Sequence, residues 1–145
     1  MPESLPVAAG GSGLRRTPYH FPRGIPAFEH VTRFCLLENP AYEPLVVLEA
    51  ESQPALRFAC VPVECLMQDY RLELSEDEAA LLASPGGPAR LRVLAILTFR
   101  AGSVPTANLL APVVLNPGAG VGVQSVQAQL QYSHRHPLRE EPPCS

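Results

Sequence analysis

Lysine is missing from this chain: all eleven basic residues are arginines, set against fourteen aspartates and glutamates, for a net charge of −3. With that balance charge alone gives no attraction to phosphate backbones, so direct nucleic-acid binding is not expected. The all-arginine usage reads as genome composition rather than function. Also missing is any run near the roughly 18 apolar residues a membrane helix needs. The opening stretch, MPESLPVAAGGSGLRR, has neither the basic start nor the continuous apolar core of a signal peptide. These absences predict a cytoplasmic protein without a membrane partner. No stretch matches G-x-S-x-G, a Walker A loop or H-E-x-x-H, and no basic aromatic strand offers an RNA platform. The chain therefore reads as a binding module rather than an enzyme, with no cofactor, metal or small-molecule substrate expected. Nothing in its modest charge or its lack of a long apolar helix favours an oligomer, so a monomer is expected.

What is abundant is punctuation. Seventeen prolines and ten glycines disfavour long helices and favour short strands joined by turns. The hydrophobic fraction of 46% against 17% charged describes a globular body, and 145 residues suit one domain with its own core. Residues 1–17, rich in Gly, Ser, Pro and Ala, read as a disordered tail. Residues 138–145, LREEPPCS, read as a second one, leaving 18–137 as the domain.

Within the domain, RFCLLE (33–38), PLVVLEAE (44–51) and LRFACVP (56–62) read as three strands. The turns NPAYE and SQP between them make antiparallel neighbours. In LSEDEAALLAS, Ser75 precedes Glu78 by three positions, the spacing of a capping box. Glu76, Asp77 and Glu78 suit the positive end of the helix dipole, and Pro85-Gly86-Gly87 is the expected stop. RLRVLAILTF (90–99) predicts a strand buried on both sides at its middle.

TANLLAPVVLNP (106–117) is apolar, yet it carries Pro112 at its middle and Asn108 and Asn116 near its ends. Pro112 cannot donate to a ladder, which predicts an edge, a bulge or one-sided pairing there. NPGAGVGVQ (116–124) reads as a hairpin loop. VQAQLQY (126–132) alternates strictly and predicts a half-buried strand, with Val126, Ala128, Leu130 and Tyr132 inward and Gln127, Gln129 and Gln131 outward. The whole predicts an all-β, small single-domain β-barrel or sandwich-like fold of short antiparallel strands with one short helix.

The four cysteines, Cys35, Cys60, Cys65 and Cys144, should be thiols in a reducing compartment. Cys60-x₄-Cys65 together with His134-x-His136 raises a rival reading, a small metal-dependent or thiol enzyme. Against it, the cysteine spacing is a loose match to zinc ligation, and thiols in apolar surroundings are poor nucleophiles.

Four stretches, taken together, resemble the FliW family of bacterial flagellar assembly factors. FPRGIPAFEHVTRFCLLE (21–38) is similar to its opening F-x-x-G-[LI]-P-x-F-E and first strands. LRFACVPVECLMQDYRLELSEDEAALL (56–82) resembles its strand, tyrosine and acidic helix. TANLLAPVVLNP (106–117) and YSHRHPL (132–138) resemble its T-x-N-L-x-A-P motif and its terminal Y-x-x-R-x-P-L. The chain departs from the pattern at Leu48-Glu49-Ala50, often Leu-Gln-Ser, and at Gly122-Val123-Gln124, commonly Gly-Arg-Gln, where an arginine that could bind a carboxylate is lost.

The resemblance implies a non-enzymatic regulator that binds flagellin in the cytoplasm and antagonises the translational repressor CsrA, coupling flagellin synthesis to its export through two competing complexes. A diverged relative serving another protein partner is the alternative. Candidate partner-binding residues are Tyr70, Asn108, Asn116, Gln124 and Arg135. All of these except Gln124 have a structural reading as well. Asn116 suits fastening the Pro117-Gly118 turn, and Asn108 divides evenly between turn and partner. Arg135 either anchors the chain end on a carboxylate such as Glu29 or sits at an interface, where arginine is enriched. Tyr70 suits a core ring with a wet hydroxyl.

Overall fold

The computed structural model describes residues 13–83, 90–128 and 131–138. Strands β1 (Arg15–His20), β2 (Arg33–Glu38), β3 (Val46–Ala50) and β4 (Arg57–Pro62) form an antiparallel meander. Helix α1 (Glu76–Leu82) follows, then β5 (Arg92–Thr98), β6 (Thr106–Asn116), β7 (Val121–Gln124) and the two-residue β8 (His136–Pro137). β5 joins β4 to β6, β6 joins β7, and β7 returns to β1 through one parallel bridge, His20 to Val121. Seven strands thus close a barrel. β8 pairs with Thr106 and Ala107 at the start of β6.

Alternation along the strands sends one set of side chains into the barrel. Phe34, Leu36, Leu48, Ala50, Cys60, Leu94, Val113 and Leu115 fill it, joined by Phe21, Ile25 and Val31 from the segment between β1 and β2. Phe21 and Phe34 meet edge to face, with centroids 5.1 Å apart, a favoured aromatic geometry. The interior is a packed core, as small barrels require. Residues of opposite phase, Val61, Ala95, Leu97, Ala107 and Leu109, form a second cluster outside the barrel with Met67, Tyr70, Tyr132 and Leu138. A third sets Leu82 of α1 against Val114 and Val123. The middle of β5 is therefore buried on both sides, as its composition predicts.

The capping box is present in both directions: Glu78 N–H donates to Ser75 Oγ at 3.1 Å, and Ser75 N–H to Glu78 Oε1 at 3.0 Å. The helix ends at Leu82, with Ala83 extended. The expected stop at Pro85-Gly86-Gly87 lies outside the described residues, as do 1–12 of the N-terminal tail and 139–145 of the C-terminal one.

Four expectations need correction. β1 takes in Arg15, Arg16 and Thr17, which composition assigned to the tail. Pairing with β2 orders them despite their polarity, and Pro18 is tolerated because the strand's β7 side carries only the His20 bridge. At the other end Leu138 belongs to the fold, its N–H donating to Pro105 O at 2.9 Å. VGVQ (121–124) is a strand rather than loop, and only 117–120 form the turn, with the N–H groups of Ala119 and Gly120 donating to Asn116 O.

The fourth correction is the largest. No strand forms over Val126–Ala128, and the predicted phase is inverted: Val126 is 58% exposed while Gln127 is 2% exposed. Burial of Gln127 is made affordable by hydrogen bonds rather than by an apolar side chain. Its Oε1 accepts from Glu73 N–H at 2.7 Å, and its Nε2 donates to Glu73 O at 3.0 Å and to Ser125 Oγ at 2.9 Å. The carboxamide imitates a ladder pair and straps the segment before α1 to the barrel. Residues 129 and 130 lie outside the description.

Candidate functional site

The site begins with the irregularity that Pro112 forces. On β5 only Ala95 lies between Leu94 and Ile96, which pair with Val113 and Asn108; on β6 four residues, 109–112, lie between those partners. This is a wide bulge. Its backbone polar groups would be costly to leave unpaired, and each finds a partner. Leu109 N–H donates to Ser133 O at 2.9 Å, and Leu109 O accepts from the Tyr70 hydroxyl at 2.6 Å. The N–H groups of Leu110 and Ala111 both donate to Asn108 Oδ1 at 3.0 Å. Leu110 O accepts from Gln127 N–H at 2.7 Å, Ala111 O from Gln124 Nε2 at 2.9 Å, and Pro112 O from Ser125 N–H at 2.9 Å. Pro112 has no N–H to satisfy, and that is why a proline fits here.

Three of the five candidate residues, Tyr70, Asn108 and Gln124, therefore meet at one place, where they hold the chain's own backbone. The Tyr70 ring also stacks on Tyr132, with centroids 4.3 Å apart and planes at 18°, and Tyr132 Oη accepts from Arg71 N–H at 2.7 Å. Burial, with Tyr132 beside it, pushes the Tyr70 phenol above its ordinary range. It stays a neutral donor at physiological pH.

Replacing Asn108 by alanine leaves two N–H groups without that acceptor. At this half-buried position the expected loss is about 1–2 kcal/mol, read from urea denaturation. Asn108→Asp keeps an acceptor in place and is expected to be close to the parent. Equal loss in both would show that the carboxamide's oxygen is not what matters.

Asn116 is turned into the fold. It is 1% exposed, its Nδ2 donates to Leu82 O, and its Oδ1 accepts from Gly118 N–H at 3.0 Å. It joins the end of α1 to the β6–β7 turn. Val123, where the family commonly carries an arginine, is 2% exposed and packs against Leu82. The departure fills the interface under α1.

Arg135 lies in the exposed turn before β8, its N–H donating to Ser133 Oγ at 2.9 Å. The expected Glu29 anchor is not formed. The Glu29 carboxylate is held in its own turn, accepting from Ala27 N–H at 3.1 Å, and bonds to backbone N–H groups draw its pKa down. Among the five candidates, Arg135 is the one set in a fully exposed stretch.

For the rival chemistry, Cys60 is wholly buried and burial pushes its thiol up to about 12, so almost none is thiolate at neutral pH. Among the described residues no three His, Cys, Asp or Glu side chains are grouped to hold a metal ion, and no helix is long and apolar enough to cross a membrane.

Large apolar side chains do reach the surface on the β5–β6 hairpin, where Phe99 is 62% exposed and Val104 59%. Sequence reading took Phe99 as the end of the strand 90–99, whereas β5 stops at Thr98; Arg100, Ala101 and Gly102 directly after Phe99 were the available sign of a turn.

The model of the FliW protein family matches residues 14–138. A flagellar assembly factor FliW from Moorella thermoacetica is 32% identical over 127 residues, covering 84% of this chain and 78% of the relative. One from Thermotoga petrophila is 31% identical over 126 residues, with 85% and 83% covered. A crystal structure of the flagellar assembly factor FliW superposes with a TM-score of 0.74 at 28% identity, covering 86% of this chain and 88% of that one. From its first barrel strand to the residue after β8, the chain belongs to the FliW family.

Proposed function

We propose that this protein is a cytoplasmic flagellar assembly factor that binds flagellin and antagonises CsrA, with no catalytic step. The observation that carries the reading is the family match over residues 14–138, which spans every strand of the barrel. The packed interior supports a role at the outer surface, because side chains fill the space a small ligand would need.

The mechanism is linkage. If the two partners exclude one another, each lowers the apparent affinity of the other by the same factor. Rising flagellin then occupies the factor and releases CsrA. Calorimetric titration with CsrA of the same organism, alone and with flagellin already bound, tests this. The expected result is a stoichiometric CsrA complex that saturating flagellin abolishes. Absence of binding to both proteins would overturn the proposal.

A further inference from the structure

Thr98, Thr106 and Pro137 lie side by side on β5, β6 and β8, so the hairpin 99–105 and the chain around β8 form one corner of the molecule. Leu138 N–H donates to Pro105 O and fixes that corner. Phe99 and Val104 stand exposed on the hairpin, Arg100 beside them is exposed, and Arg135 lies exposed on the flank.

Residues 98–110 and 131–138 contain Arg100, His134, Arg135 and His136 and no aspartate or glutamate, in a chain of net charge −3. No ion pair among the described residues engages Arg100 or Arg135, whereas Arg57 is joined to Glu49 at 2.8 Å and Arg92 to Glu38 at 2.9 Å. An exposed aromatic ring beside guanidinium groups that no described carboxylate engages is the composition of interface anchors. Carboxylates offer those groups bidentate partners.

We infer that the β5–β6 hairpin is the docking surface for an acidic segment of a protein partner. One apolar side chain of that segment would seat against Phe99 and Val104, and its carboxylates would pair with Arg100 and Arg135. This inference rests on the proposed function for its partners and adds the surface and the chemistry.

The test titrates flagellin and CsrA separately against the parent protein, Phe99→Ser, and the double variant Arg100→Glu with Arg135→Glu. Tyr42→Ala is the control, 67% exposed on the β2–β3 connection. All variants are first checked for parent-like thermal unfolding. The expected result is a loss of about tenfold or more for one partner in both hairpin variants, with Tyr42→Ala unchanged. The affinity of the parent for that partner should also fall as salt is raised. If both partners bind the hairpin variants as tightly as the parent, the docking surface is elsewhere and the proposed function stands. If the parent binds neither partner, both fall together.

Discussion

Gly24→Ala is expected to destabilise the barrel by about 2–5 kcal/mol, a large share of the stability of an ordinary domain. Gly24 has φ +63°, and a Cβ there would lie 2.6–2.8 Å from the backbone Cα, C and O of Glu29. The left-handed conformation alone costs alanine about 1–2 kcal/mol. The contact with Glu29 adds more, because backbone cannot rotate aside as a flexible side chain can, and overpacking costs about 1–3 kcal/mol. The segment at risk carries Phe21, Ile25 and Val31 into the core. Gly102 separates the two terms: its φ is +77°, with nothing within 4 Å of the added carbon. Gly102→Ala is expected to cost only the conformational part, about 1–2 kcal/mol. Urea denaturation of both variants checks this, and equal losses would show that the approach of Glu29 contributes nothing.

Gln127→Ala is expected to cost about 2–4 kcal/mol. It removes the partner of both Glu73 backbone groups and empties a site that is 2% exposed. Glu73 itself is exposed, so water recovers part of the loss, which keeps the figure below that of a sealed cavity. The Glu73 amide should lose protection from hydrogen exchange before the barrel amides do.

Gln127→Glu gives a pH signature. An ionised carboxylate there could still accept from Glu73 N–H but would face Glu73 O without a proton to donate. Its folded pKa should therefore lie above the unfolded value of about 4.3. A raised carboxyl pKa means the folded state binds more protons, so this variant should recover stability relative to the parent as pH falls from 7 toward 5. A difference that stays flat over that window would remove the carboxamide-ladder account.

Where local chemistry and tertiary demand agree, the fold was readable from residues alone. RFCLLE, LRFACVP and the capping box of Ser75 and Glu78 were placed within a residue of their observed limits, because alternation and capping act locally. Pro112 announced an irregularity in β6 for the same reason. The failures have a common cause. Alternation in VQAQLQY carries no information about which phase faces inward, and Gln127 is buried only because Glu73, far away in sequence, offers a matching donor and acceptor. β1 was lost to its arginines and proline, and β7 to its glycines. The glycine at 122 is there because a Cβ would lie 2.5 Å from Phe21 Cζ, a constraint visible only after the barrel closes. For the candidate site, Tyr70, Asn108 and Gln124 were found without their purpose. Nothing local shows that all three would be occupied by the backbone of β6.

The single bridge between His20 and Val121 has a kinetic meaning. The β1–β4 meander is built from neighbours in sequence and can form while the chain is still short. The cylinder cannot shut until β7 exists, since its closing contact joins the first strand to the seventh. Such long-range pairings are slow to form, so this seam should be the last contact made in folding. Being one bridge wide, it should also be the first to part when the barrel breathes.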